Sequence, residues 1–458
     1  MTALFSSLDR IRERITPPVC AFLEGKLYPI ILGTLVVIGH VSGLEFYFNI
    51  PIMASAYLAL LLCRGIRAFL PALLMLLYQI NYTHAFSDYY FTGPVFVILI
   101  IQVSLLALCF IFYFVRNVAP NISPRSPLFY PLIALCAAFL LGGAFTEGWV
   151  IKNLYYALLQ IFAYALIFYT VYYGLAGEDH RELMEYLTLL ASVVAMVIAA
   201  ELAAIYFSGT VAPEGEIIKE NVHLGWGMWN PIGFCLTVLI PLIMRGAIAG
   251  RYRTLYLIIG ILTWVAAIFS MSRNAQLFST LTMAACVIIG SVRGERRILF
   301  RILLGIGIAG AIGICVLLHD RLLPLISAFL YDNGRFELWG TALDNFLASP
   351  IIGKGFYGFG RGNVFAAFLP WLAHNTVLEM LSATGILGTG AYLVYRACTL
   401  RPFIKEMSRD KLMLLLPILV TLAMSLIDNY VFHVYTTFVY SICLAAAHRL
   451  ADGQQEKK

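Results

Sequence analysis

The stretch WLAHNTVLEMLSATGILGTGAYLVYR, Trp371 to Arg396, places a histidine and an asparagine at the start of a long apolar run. A membrane-spanning helix needs about 20 predominantly apolar residues, and this run meets that length. The rest of the chain repeats the pattern, because 61% of its 458 residues are hydrophobic and 12% are charged. The composition therefore predicts an all-α, polytopic membrane protein.

The lengths of the apolar runs predict about 12 to 14 transmembrane helices. We divide the chain into a cytoplasmic leader (1–27), an N-terminal transmembrane bundle with an external loop (28–228), a catalytic region (229–448) and a cytoplasmic tail (449–458). The leader lacks the short apolar core and the cleavage site of a signal peptide. The nine cysteines lie in apolar runs or beside basic residues, so we interpret them as packing residues without disulfides or metal ligation.

The distribution of lysine and arginine predicts the orientation, because these residues are retained on the cytoplasmic side. If both termini lie on the cytoplasmic side of the plasma (inner) membrane, 24 of the 31 basic residues are also on the cytoplasmic side. The other seven are Lys152, Lys219, Arg273, Arg321, Arg335, Lys354 and Arg361. These residues either contact lipid phosphates or bind an anionic ligand at the outer leaflet. Four of the seven lie in the external segment 319–373, and this clustering favours the anionic ligand.

The external segment contains a predicted helix that begins at Arg335. Apolar side chains recur there at helical spacing, and they are Phe336, Trp339, Leu343, Phe346 and Leu347. The helix either lies on the bilayer or caps the bundle, and a packing role is enough to explain its aromatic residues. It does not explain Arg335, because the helix dipole disfavours a cation at a helix start.

The glycine-rich stretch GKGFYGFGRG follows at residues 353–362 and contains a literal GxGxxG. A dinucleotide site would need a strand directly before this motif and a helix directly after it, and the residue pattern predicts neither. We expect Gly353 and Gly355 to allow tight backbone turns under a bulky substrate or lipid.

His374 and Asp428 are candidates for chemistry at the external face. An imidazole can accept a proton near neutral pH, and a helix start beside external arginines should keep His374 neutral. The alternative is that His374 or Asn375 caps its helix. Asp428, in SLIDNYVFHVYT (425–436), lies at the external end of a span, where acidic residues are rare, and we expect an arginine as its partner.

Three stretches together resemble the O-antigen ligase and polymerase superfamily of bacterial membrane glycosyltransferases. They are SMSRNAQL (270–277), GRFELWGTALDNFLASPIIGKGF (334–356) and HNTVLEMLSATGILG (374–388). The shared elements, in chain order, are Ser272-Arg273, Arg335 with Trp339, Pro350 with Gly353 and Gly355, His374-Asn375 with Leu378, and Gly385 with Gly388.

The resemblance implies a fold like that of C-type glycosyltransferases, with an external helical cap over a membrane cavity. It implies a glycan donor linked to undecaprenyl diphosphate and an acceptor that is a glycan or lipid-linked. Arg273 and Arg335 would bind the diphosphate, His374 would be the general base, and Asp428 would orient an arginine. The predicted substrate contacts are Asn375, Trp339, Gly353, Gly355, Lys354, Arg361 and Asp428.

The expected reaction inverts the anomeric carbon. The outside loops contain no DxD motif and two arginines are available, so we predict a reaction without metal or cofactor, and no nucleic-acid partner. The acceptor stays open among lipid A core for a ligase, a lipid-linked repeat for a polymerase, and protein. The loop 209–231 either helps to select it or is a linker. A lipid-linked oligosaccharide transporter is the alternative from another class, although that class favours charges at the midplane and an internal repeat.

Overall fold

The computed structural model of the chain describes residues 16–76, 93–147, 149–211, 217–224, 227–317, 334–359, 372–404 and 407–455. The first helices of the described chain are α1 (Thr16–Leu23), α2 (Leu27–Ser42), α3 (Glu45–Leu62), α4 (Leu70–Leu76), α5 (Gly93–Tyr113), α6 (Phe129–Leu141), α7 (Ile151–Ile161), α8 (Ile167–Gly174) and α9 (His180–Phe207). A two-stranded antiparallel hairpin, β1 (His223–Leu224) and β2 (Gly227–Met228), follows. The later helices are α10 (Trp229–Ala249), α11 (Arg253–Phe269), α12 (Arg273–Arg293), α13 (Arg297–Leu317), α14 (Arg335–Ala348), α15 (Thr376–Leu400), α16 (Arg409–Met424) and α17 (Val434–Gln455).

The helices confirm an all-α, polytopic membrane protein. Within the described ranges, eight helices are long and apolar enough to cross a membrane, or nine if the bent pair α1 and α2 is one span. Shorter apolar helices, among them Phe129–Leu141 and Arg253–Phe269, accompany them. The buried α10 lies at the centre, where it packs against α9, α11, α12 and α16.

The interpretation of all nine cysteines as unpaired is wrong for two of them. Cys20 and Cys63 form a disulfide, with their Cα atoms 5.7 Å apart. The pair joins α1 to the end of α3 across 43 residues, because the sharp bend between α1 and α2 turns α1 back toward that end. No local sequence spacing indicates such a contact.

Helix α15 is interrupted at Gly385, whose φ of 62° and ψ of −161° are not helical. The segment 350–355, which contains turns, lies against this break. The N–H groups of Lys354 and Gly355 donate to the carbonyls of Ser382 and Ala383 at 2.8 and 2.9 Å, and the N–H of Ile386 donates to Pro350 at 2.9 Å. Backbone groups inside a bilayer must be paired within the protein, so this segment supplies the partners that the broken helix lacks.

Most of the turn between α16 and α17, residues 425–433, is also buried. The carbonyl of Phe432 accepts the Tyr156 hydroxyl at 2.6 Å and the Gln160 amide at 2.7 Å, and Tyr164 donates to Val431 at 2.9 Å. Side chains of α7 and the π-helical turn after it therefore hold the turn that carries Asp428.

The predicted site residues of the described ranges lie at one end of the bundle. The N–H of Thr376, at the start of α15, donates to the Ser425 carbonyl at 3.0 Å, and Asn274 of α12 donates to the Met424 carbonyl at 3.3 Å. The opposite end of the bundle carries basic residues, such as Arg245 on α10, which is paired with Asp410 at 3.2 Å.

Candidate active site

Asn375 is the N-cap of α15. Its side-chain oxygen accepts the N–H groups of Val377 and Leu378 at 3.0 and 3.1 Å, and its amide donates to the Leu426 carbonyl at 2.9 Å. Such a cap pairs backbone N–H groups that the first helical turn leaves free. Both ends of the Asn375 amide are therefore engaged in structure, and the substrate contact predicted for it stays a prediction.

His374 and Asp428 form a hydrogen-bonded pair. His374 Nδ1 lies 2.7 Å from Asp428 Oδ1, and 39% of the His374 side chain is exposed against 3% of the aspartate. The ionised carboxylate can only accept, so we assign the ring proton to Nδ1. Nε2 is then the nitrogen with a lone pair. An aspartate that fixes the tautomer of a histidine in this way prepares it to act as a base.

The charge of Asp428 raises the pKa of His374 above its ordinary value, against the opposing effects of burial and of Arg335. Burial opposes ionisation of Asp428, but its pKa is held well below the usual range by His374, by His433 and by the Asn429 N–H. The expectation that the helix start and the arginines keep His374 neutral is therefore wrong in direction, because the directly bonded carboxylate outweighs them.

Asp428 contacts His374 and Asn230 among the described residues, and the arginine partner expected for it stays a prediction. The second oxygen of Asp428 accepts the amide of Asn230 at 2.9 Å, and the Asn230 carbonyl accepts the Ser272 hydroxyl at 2.8 Å. Ser272 is the N-cap of α12 and accepts the Ala275 N–H at 3.3 Å. Arg273 is the first residue of that helix, so a chain of side-chain hydrogen bonds runs from the residue before Arg273 to His374.

Two helix starts at the site share an unusual backbone. Met271 precedes the Ser272 cap with φ 59°, and His374 precedes the Asn375 cap with φ 51°. Residues other than glycine rarely adopt this left-handed conformation, and surrounding contacts must maintain it. One such contact joins Glu379 Oε2 to the N–H of Ala373, at 2.7 Å.

Arg335 is the first residue of α14, after Gly334 with φ 77°. The predicted helix is confirmed, and α14 packs against α15. Its packed face holds Ala342 and Asn345, whereas Phe336 and Leu347 are exposed. The positive charge of Arg335 opposes protonation of His374 and so acts to lower the pKa of the imidazole. The contact of Arg335 with a diphosphate stays a prediction.

A close backbone contact requires glycine at 353, whereas at Gly355 a Cβ would meet the Asn153 side chain, 2.6 Å from its Oδ1. A Cβ on Gly353 would lie 2.4 Å from the backbone carbon of Ala383, and one on Gly385 would lie 2.4 Å from that of Ile351. Both positions also have positive φ. The tight turns expected at these glycines are present, and the surface beneath them is the broken helix α15. Substrate binding by Gly353 and Gly355 stays a prediction.

The structure gives fewer contacts for the remaining predicted site residues. Trp339 contacts Phe336, with ring centroids 5.4 Å apart, and its buried Nε1 has no hydrogen-bond partner among the described residues. Lys354 is half-buried on the segment that meets the helix break. Arg361 lies outside the described residues. Their predicted contacts to substrate stay predictions.

Asn230 and Glu379 are the residues that the sequence analysis missed. Asn230 lies at the end of the loop 209–231, where an apolar span begins, and a polar side chain in that place is a usable signal. Glu379 lies one helical turn after the Asn375 cap and is fully buried.

In the described part of the chain, no three His, Cys, Asp or Glu side chains converge as a metal site, and independence of metal stays a prediction.

Comparison with known proteins agrees with these motifs. Residues 258–393 match a family described as O-antigen ligase. No curated protein matches the chain. The matched region contains Arg273, Arg335 and His374, and the family acts as membrane glycosyltransferase-like enzymes of O-antigen pathways on lipid-linked glycans. The match over residues 258–393 supports the resemblance of this region to the O-antigen ligase and polymerase superfamily.

Proposed function

We propose that the protein transfers an oligosaccharide or polysaccharide from undecaprenyl diphosphate to an acceptor hydroxyl, at the outer leaflet of the plasma membrane. The observation that carries the proposal is the His374–Asp428 pair at 2.7 Å, to which Asn230 joins the start of α12. The positive charge of Arg335, at the start of α14, also acts on His374. A base and fixed cations are the two functions that such a transfer needs.

His374 Nε2 takes the proton of the acceptor hydroxyl as the oxygen attacks the anomeric carbon. The bond between that carbon and the phosphate oxygen breaks, and undecaprenyl diphosphate leaves with the electron pair. Attack from the face opposite the leaving group inverts the configuration. A positioned base contributes typically about 10²- to 10⁴-fold to the rate. Asp428 stabilises the imidazolium that forms.

Arg273 and Arg335 are the proposed ligands of the diphosphate. Arginine binds phosphate oxygens through a planar fork of donors, and fixed positive groups placed where charge develops are commonly the largest contribution to catalysis. Arg273 also stands at the N-terminus of α12, where the helix dipole favours an anion. This set needs no metal ion, so the proposed reaction is metal-independent.

The distribution of basic residues between the two ends of the bundle supports the proposed orientation of the protein. Arg245, Arg253 and Arg293 lie at the helix ends opposite His374. Because basic residues are retained in the cytoplasm, we place the His374 end outside and both termini inside.

The acceptor separates a ligase from a polymerase. A ligase would move the glycan to lipid A core, a polymerase to another lipid-linked repeat, and a related enzyme to protein. The base and the cations serve each of these, since they act on the donor and on a hydroxyl.

The test uses purified protein and lipid-linked glycan extracted from a deletion strain of the source organism. We expect release of undecaprenyl diphosphate and a product of inverted anomeric configuration, with activity retained after chelation. The His374→Ala variant should still bind the donor and lose turnover, whereas His40→Ala, on α2, should keep it. Movement of intact donor without bond cleavage, unaffected by His374→Ala, would support a transporter. Loss of activity on chelation with rescue by Mg²⁺ or Mn²⁺ would overturn metal independence.

A further inference from the structure

The Asn230 amide is hydrogen-bonded to Asp428 on one side and to Ser272 on the other, and these two contacts orient it. The nitrogen donates to Asp428 Oδ2 at 2.9 Å, and the oxygen accepts the Ser272 hydroxyl at 2.8 Å. A rotation of the amide by 180° would place its oxygen against a carboxylate, which can only accept, and would lose the bond. The amide therefore has a single productive orientation.

The other Asp428 oxygen is already engaged. Oδ1 accepts His374 Nδ1 at 2.7 Å and the Asn429 N–H at 2.8 Å. Asn230 is the side chain that engages Oδ2 among the described residues, so it prevents the carboxylate from turning about its own axis. A carboxylate held at both oxygens presents Oδ1 to the imidazole in a fixed direction, and this direction sets where Nε2 points.

We propose that Asn230, oriented by Ser272, is a positioning residue for the proposed transfer, holding Asp428 so that His374 keeps its Nδ1 proton and directs Nε2 at the acceptor. This inference rests on the proposed function. The start of α10 and the N-cap of α12 would then act together to align the base. It also links the helix that begins at Arg273 to that base.

The charged and titratable groups that face His374 define how its titration can change. Asp428 and His433 lie on the turn between α16 and α17, Arg335 lies on α14 and Glu379 on α15. Asn230 adds no charge to this set. Replacing its amide by a carboxyl would place a second negative group beside Asp428, and a nearby negative charge favours the protonated imidazole.

The test compares Asn230→Ala and Asn230→Asp with the wild type, using the full-length protein in detergent. For Asn230→Ala we expect kcat to fall by roughly 10- to 100-fold with KM nearly unchanged, which corresponds to a lost hydrogen bond to a charged group. For Asn230→Asp we expect the rise of activity with pH to move to higher pH. Titration of His374 by ¹⁵N NMR, assigned with His374→Gln, should move in the same direction without any substrate present.

Asn121→Ala is the matched control, because the Asn121 amide donates to the Asn117 carbonyl at 2.9 Å in the turn between α5 and α6, outside the proposed site. It should leave kcat, the pH profile and the His374 titration unchanged. Thermal unfolding of each variant shows whether it is folded, and the NMR titration tests the inference in any variant that is folded.

The results separate this inference from the proposed function. If His374→Ala keeps full turnover, the proposed function is wrong, whatever Asn230 does. If His374→Ala loses turnover but both Asn230 variants keep the wild-type kcat, pH profile and His374 titration, the positioning role is overturned and the proposed function stands.

Discussion

His374 Nδ1 and Asp428 Oδ1 lie 2.7 Å apart, although the two residues are 54 positions apart in the chain. The aspartate comes from a buried turn between α16 and α17, and the histidine precedes the cap of α15. Since the carboxylate can only accept, this contact decides which nitrogen of the imidazole is available as a base.

Replacing Asp428 by Asn should lower kcat by about 10²- to 10⁴-fold, the range of a lost positioned base. The amide can donate to Nδ1, which would stabilise the wrong tautomer and leave the proton on Nε2. Steady-state release of undecaprenyl diphosphate measures the effect. A variant with wild-type kcat would show that the pair has no part in the reaction.

Activity of the wild type should rise with pH through the pKa of His374. The base works when Nε2 is unprotonated, and Asp428 raises the pKa above its ordinary value near 6.5. The imidazole therefore stays protonated to higher pH, and the rise comes later than for a free histidine. In Asp428→Asn the residual activity should rise at lower pH, because the charge that favours the imidazolium is gone. A profile of kcat/KM against pH checks both, and an unchanged acid limb in the variant would contradict the assignment.

Arg335→Lys and Arg273→Lys should each lose activity, by about 10-fold or more, although the positive charge is kept. A lysine offers a point charge in place of a two-pronged donor, so it cannot reproduce paired contacts to phosphate oxygens. Donor titration and kcat report the loss separately. Arg251→Lys, in the turn between α10 and α11 at the other end of the bundle, is the control. Full activity in both site variants would argue against a diphosphate clamp made by these arginines.

Gly385→Ala should destabilise the protein by about 1–3 kcal/mol, because the added methyl group meets a packed backbone in a conformation that favours glycine. The new Cβ would lie 2.4 Å from the backbone carbon of Ile351. Thermal unfolding in detergent measures the change. Gly390→Ala is the matched control, since a Cβ at Gly390 on the same helix meets nothing within 4 Å. Equal melting temperatures for the two variants would mean that segment 350–355 does not hold the helix break.

Much of the architecture could be predicted from the residue types alone. Long apolar runs predict membrane helices because an unpaired backbone group is costly in lipid, and helical spacing correctly places a helix from Arg335. The candidates Arg335 and His374 were also found from the sequence, since a cation or an imidazole at an apolar helix end has few structural uses.

The partners of those residues could not be predicted. Asp428 pairs with His374 and Asn230, and Gly353 contacts the backbone at a helix break. Membrane helices are apolar on nearly every face, so their sequence periodicity does not encode how each is rotated against its neighbours. Composition and run length determined the membrane class and the candidate residues. Only the packing of α10, α12, α15 and the turn after α16 decided which side chains meet, because those contacts join segments that are distant in the chain.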